Sequence, residues 1–125
     1  MKSILASLRK TFLSFSFAWK GLQFMIRREH NFRFHLFAVV TVLIAGLLLS
    51  LSRQDWITVI TMCGLVLGAE TLNTAIEKLA DHVCPDHHPA IGVVKDISAA
   101  GVLLISLAAL VNGLLVFIPA ILKIL

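Results

Sequence analysis

Charge is scarce in this 125-residue chain: 14% of residues are charged, against 58% that are hydrophobic. That balance excludes an ordinary soluble domain of this size. Cysteine is nearly absent. Cys63 and Cys84 have no ligand or redox spacing and lie far apart on one helix, so no disulfide is expected. No G-x-x-x-x-G-K-[ST] occurs, which rules out a P-loop nucleotide site, and there is no G-x-S-x-G, H-E-x-x-H or C-x-x-C. Nor is any basic patch interleaved with base-stacking aromatics, so nucleic acid is not an expected partner.

Long apolar runs are what the chain has instead. They are FHLFAVVTVLIAGLLLSLS (34–52), WITVITMCGLVLGAETLNTAI (56–76) and ISAAGVLLISLAALVNGLLVFIPAIL (97–122). Each meets the length of about 20 residues that carries a helix across about 30 Å of hydrocarbon. Helices satisfy their own backbone in lipid, whereas an isolated hairpin cannot. The expected fold class is an all-α membrane protein with three transmembrane helices. The first run starts too late for a signal peptide and ends without a small-residue cleavage pattern. Lys2, Arg9, Lys10, Lys20, Arg27, Arg28, Arg33, Lys78 and Lys95 lie on one side of the spans, and only Arg53 and Lys123 on the other. The N-terminus and the second loop are therefore cytoplasmic and the C-terminus external. The net charge of +4 reads as topology and contact with anionic lipid.

Residues 1–30 predict a fourth helix of another kind. Ile4, Leu8, Phe12, Phe15, Trp19, Leu22 and Ile26 recur at spacings of three and four, with Lys2, Arg9, Lys20 and Arg27 on the opposite side. This describes an amphipathic helix in the membrane interface. Leu13, Phe17 and Phe24 interrupt its polar face, so part of it is expected to pack on the bundle. SRQD (52–55) reads as a tight external turn. A longer loop, roughly 82–94, holds CPDHHPAIG, whose prolines and glycine are expected to break helix on both sides.

Within GAETLNTAIEKLADHV (68–83), Glu70, Asn73, Glu77 and Asp81 are spaced three, four and four apart. On a helix they share a sector of about 80°. Glu70 falls about 20 Å along the span from Trp56, near the inner edge of the hydrocarbon. A carboxylate at such a depth is functional by default, the alternative being a polar seam between helices. A second cluster, Arg27 to His35, includes Glu29, the only acid in the first 54 residues. Lys95 and Asp96 open the third span, followed by Ser98, Ala99, Ala100 and Gly101; these small residues, like Gly64 and Gly68, allow close helix approach. Cys84, Asp86, His87 and His88 lack the paired ligand spacing of known zinc sites. The acids could hold Mg²⁺, the bases could hold phosphate, and a carboxylate at the hydrocarbon edge could take a proton from a lipid hydroxyl. By themselves these residues leave a lipid-modifying enzyme level with a transporter or a structural bundle.

A-W-K-G-L (18–22), E-H-N-F-R-F-H (29–35), E-T-L-N-T-A-I-E-x-x-x-D (70–81) and K-D-I-S-A-A (95–100) resemble the prokaryotic diacylglycerol kinase and undecaprenol kinase family, in its order and spacing. The resemblance covers about residues 10–120. It implies a homotrimer with active sites shared between neighbours, in the bacterial inner membrane, phosphorylating a lipid hydroxyl from MgATP at the cytoplasmic face. It also implies roles: Glu70 as catalytic base, Glu29 and Glu77 as metal-binding acids, and Asn73 as an active-site amide. Lys95 and Asp96 match the nucleotide-contacting pair, Arg33 an arginine near the lipid, and Trp19 the interfacial tryptophan. Asp86, His87 and His88 occupy the stretch that resembles the nucleotide lid. Two positions depart from the diacylglycerol-specific pattern: Lys10 stands where arginine is frequent, and Ala99 where serine is. Lys10 can meet phosphate as a point charge rather than a fork.

Asn31-Phe32 with His35, Asp86-His87-His88-Pro89 and the late Phe117-Ile118-Pro119 resemble the undecaprenol kinase branch more than the branch acting on diacylglycerol. The expected acceptor is undecaprenol, with diacylglycerol as the alternative. A non-enzymatic ion or proton conduit is the alternative of another class. It is disfavoured because no acid or base lies in the middle of the first or third span, and a path across needs polar groups at several depths.

Overall fold

A computed structural model describes residues 2–86 and 88–124; the side chains of residues 2–9 and 12 lie outside the description. Four helices follow in order: α1 (Lys2–Arg28), α2 (His30–Leu48), α3 (Arg53–Val83) and α4 (Pro89–Leu122). The last three are each long and apolar enough to cross a membrane. α2 and α4 leave most of their leucines, valines and isoleucines uncovered. That surface suits hydrocarbon, where apolar side chains need no burial in protein.

The helix ends explain where the structure departs from the expected boundaries. The turn between α2 and α3 is residues 49–52 rather than 52–55. Ser50 takes a left-handed φ of 50°, and Ser52 caps α3. The Ser52 hydroxyl accepts from the Asp55 amide at 3.2 Å while the Asp55 carboxylate accepts back from the Ser52 amide at 3.3 Å. This reciprocal capping box draws Arg53, Gln54 and Asp55 into the first turn of α3. The turn closes on Gly46, where an added Cβ would stand 3.0 Å from both Leu51 Cδ1 and Trp56 Cη2.

The loop between α3 and α4 is also shorter than the expected 82–94, spanning only residues 84–88. Pro89 does not break α4 but occupies its first turn, where a missing N–H costs nothing and the fixed φ favours helix. His88 caps that end, its Nδ1 accepting from the Ala90 amide at 3.2 Å. Pro119 lies within α4, which nevertheless runs on to Leu122.

α1 and α2 are separated by one residue. Glu29 is extended (φ −100°, ψ 116°) and its side chain caps neither helix. Met25 and Phe32, 4% and 1% exposed, bracket the break. The Arg33 guanidinium donates to the Arg27 carbonyl at 3.3 Å, a favourable use of a cation at a helix C-terminus. Trp19, Phe15 and Phe17 remain exposed, so α1 packs on the chain through its last turns. Ile4, Leu8 and Phe12 of the expected apolar stripe, and Lys2 and Arg9 opposite, lie outside the described side chains.

α3 packs antiparallel against α4. The Lys95–Asp81 ion pair sits at one end, and the Asn112 amide reaches Met62 Sδ at 3.9 Å further along. By this register Ser106 stands level with Glu70. Between α2, α3 and α4 runs a cleft of about 510 Å³, lined almost wholly by apolar side chains and reaching from His35 past Met62 to Phe117.

Candidate active site

One face of α3 descends from protein interior to water. Glu70 and Asn73 are 4% and 6% exposed, Glu77 is half-buried, and the Asp81 side chain is 65% exposed. The spacing of three, four and four gives that shared face, and helix rise gives the descent.

Partners are distributed unevenly along it. Asn73 Nδ2 donates to Glu77 Oε1 at 3.0 Å, and Lys95 Nζ meets Asp81 Oδ1 at 2.9 Å. Across the gap, Lys78 Nζ holds Glu29 Oε1 at 2.9 Å. The hydrogen bond from Lys95 to Asp81, then the attraction of that carboxylate and of Glu77, raises the Lys95 ammonium above the ordinary 10.5. Glu70 makes no side-chain hydrogen bond or ion pair among the described residues. The charges that act on it are His35, Glu77 and Glu29, so the acid at the α1–α2 break lies within electrostatic reach of the acidic face of α3. Asn73 Oδ1 is buried beside them without a partner.

The donor set suits a hard cation. No group of three or more His, Cys, Asp or Glu is gathered among the described residues, so they form no all-protein cage. Mg²⁺, however, usually takes one or two carboxylates and completes its shell with substrate phosphates and water. Glu29 and Glu77 fit that mode, each using only one carboxylate oxygen among the described residues.

Of the expected residues, Glu29 and Glu77 act on Glu70 electrostatically, Asn73 is bonded to Glu77, and Lys95 stands one step outward through Asp81. The structure does not bring the remaining expected residues to them. Lys10, Trp19, Asp86, Asp96 and Ala99 are exposed, Arg33 turns back to the end of α1, and His88 caps α4. His87 lies outside the described residues. Cys84 Sγ donates to the Asp86 carbonyl at 3.4 Å, and both cysteines are free. Sequence reasoning missed Lys78, whose partner lies in a different helix pair, and Thr74, which is 4% exposed beside Asn73. No periodicity marks either.

Residues 16–117 match the family described as prokaryotic diacylglycerol kinase. The chain belongs to that family. It is 38% identical over 112 residues to the undecaprenol kinase of Bacillus subtilis, covering 90% of this chain and 91% of that one. To the diacylglycerol kinase of Synechocystis it is 35% identical over 113 residues, 89% of this chain and 64% of that protein. To the diacylglycerol kinase of Escherichia coli K12 it is 30% identical over 96 residues, 77% and 79% respectively. Family and relatives are lipid kinases, and the three apolar helices make this member an integral membrane protein.

Proposed function

We propose that residues 1–125 form a single lipid kinase domain that transfers the γ-phosphoryl group of ATP to the hydroxyl of undecaprenol. The work would be done at the cytoplasmic face of the bacterial inner membrane. The observation that carries this reading is Glu70, a residue only 4% exposed whose carboxylate has no hydrogen-bond or ion-pair partner among the described residues. Buried polar groups are ordinarily paired, and acids at membrane depth mark function. Glu70 takes the proton of the lipid hydroxyl; the freed oxygen bonds to the γ-phosphorus as the bond to the β-phosphate oxygen breaks, and ADP leaves. Asn73 fixes Glu77, while Glu29 and Glu77 serve as ligands for Mg²⁺, which when bound neutralises charge on the phosphates. Lys95 stands one turn further out on the phosphate side, near Asp96, and Lys10, Asp86 and His88 are the other groups we assign to nucleotide. Trp19, Arg33 and Ala99 are assigned to the lipid side, beside Asn73.

The cleft running outward from His35 supports a lipid acceptor, because it offers an apolar path of about 510 Å³ that begins near the depth of Glu70. Undecaprenol is favoured over diacylglycerol by the extent of similarity, which spans nearly the whole of the undecaprenol kinase at the highest identity of the three relatives.

The unit we propose is a homotrimer with shared active sites. Opposite the acidic face, α3 exposes Leu65, Leu72, Ile76, Leu79 and Val83, the last two at 63% and 70%. Leu79 and Val83 lie beyond the hydrocarbon edge, where bare apolar side chains face water unless another copy covers them. Trimerisation would also bring exposed residues such as Lys10 and Trp19 to a neighbour's Glu70.

The test is phosphate transfer from MgATP to undecaprenol and to diacylglycerol, head to head, in mixed micelles. Glu70→Gln is expected to lower turnover by about 10²- to 10⁴-fold, the range for a general base, with oligomeric size unchanged. Full activity in that variant would remove Glu70 from the chemistry.

A further inference from the structure

Lys78 has no part in the mechanism above, yet it is the residue that fixes the position of Glu29. It lies one residue after Glu77, about 100° further round α3, and so leaves the acidic face. Its ammonium reaches Glu29 Oε1 at 2.9 Å and sits 5.0 Å from the centre of the Phe24 ring. Glu29 has little else to hold it. It is the single extended residue between two helices and its carboxylate caps neither. The Glu29 charge also acts on Glu70, a like charge that would drive it outward. Phe24 offers the ammonium a cation–π seat on α1, so Lys78 is held from two sides while its side chain stays half exposed.

We propose that Lys78 is the resident counter-ion of Glu29: it positions this carboxylate at the site and must release it when a divalent cation binds. The proposal rests on the reading that Glu29 is a metal-binding acid. An ammonium at hydrogen-bonding distance competes with a cation for the same oxygen lone pairs and repels a dication nearby. It should therefore set the metal affinity of the nucleotide-free protein, and its removal should strengthen metal binding rather than weaken it. A purely structural clamp predicts the opposite, because a loosened Glu29 is a poorer ligand.

The experiment titrates Mn²⁺ alone into the full chain in detergent micelles without nucleotide, reading free Mn²⁺ by electron paramagnetic resonance. Lys78→Met should tighten Mn²⁺ binding by about 2- to 5-fold, the scale of a partly exposed charge pair. Lys78→Arg should stay near wild type, and Lys78→Gln should repeat the methionine result if Lys78→Met folds poorly. In a Glu29→Gln background, Lys78→Met should lose most of its effect. Unchanged or weaker binding in the neutral variants, an undiminished effect without Glu29, or no Mn²⁺ binding by wild type and variants alike would each overturn the proposal. Lipid kinase activity of the wild type, measured separately, shows whether the functional reading fails with it.

Discussion

Replacing Asn73 by alanine separates two consequences that usually travel together. The amide donates to Glu77 Oε1 at 3.0 Å, and a hydrogen bond to a charged group contributes about 1.5–3 kcal/mol. Glu77 is half-buried and the distance is long for a charge-assisted bond, so the lower end applies. If Glu77 must be held to serve the nucleotide, losing about 1.5 kcal/mol of restraint lowers kcat/KM by roughly tenfold. Stability should move less, because the same substitution removes the buried acceptor Asn73 Oδ1, which has no partner. Leaving such an atom unsatisfied costs about 1–3 kcal/mol, so its removal offsets most of the lost bond. The assay pairs steady-state phosphorylation of undecaprenol with thermal melting in the same micelles. A melting temperature that falls in step with activity, or activity that does not fall, would refute the reasoning. A loss beyond about 100-fold would instead place the amide on the reacting groups themselves.

Two further outcomes test the frame around the site. Gly46→Ala should destabilise the external turn: the new methyl meets Leu51 and the rigid Trp56 ring at 3.0 Å, overpacking that costs about 1–3 kcal/mol, against up to about 1 kcal/mol gained from helix propensity. A net loss of about 1 kcal/mol is expected in thermal melts, and a gain would show that Trp56 yields freely. The Lys95–Asp81 pair raises the Lys95 ammonium above 10.5, so its contribution is complete at neutral pH and fades only as pH climbs through that raised value. Melting curves of wild type and Asp81→Asn should accordingly converge on strongly alkaline titration; a difference that persists there would belong to Asp81 in some other role.

How much of this was legible in the sequence depends on whether the signal was local. Three long apolar helices and the shared face of Glu70, Asn73, Glu77 and Asp81 follow from composition and helical period, and the structure has the four residues graded in exposure along α3. Helix ends were read less well for identifiable reasons. SRQD (52–55) reads as a turn, yet the Asp55 carboxylate completes a capping box that draws it into α3. Pro89 reads as a helix breaker, yet it occupies the first turn of α4, where proline is at home. The break at Glu29 has no proline or glycine to announce it. Lys78 was invisible because its partner is 49 positions away in the chain, and a helix-period reading sees only neighbours at three and four. The residues assigned to the site from α1 and the cytoplasmic loop remain exposed in one protomer, which follows if a neighbouring copy completes the site.

The order of partners along α3 runs against stability. An unpaired carboxylate becomes costlier as water is withdrawn, so a helix selected for stability alone would pair its deepest acid first. Here the shallowest, Asp81, has Lys95, the intermediate Glu77 has Asn73, and Glu70, 4% exposed, has none among the described residues. Such an inversion persists where activity requires the bare group, and function is then held at the expense of stability. The consequence is measurable: Glu70→Leu, of similar volume and at home near hydrocarbon, should abolish phosphoryl transfer yet raise the melting temperature of the micellar protein, by an amount equivalent to about 1–3 kcal/mol. A lower melting temperature would mean that Glu70 is tied into the fold by a partner supplied through the assembly, and that its isolation within the protomer is not what suits it to act as the base.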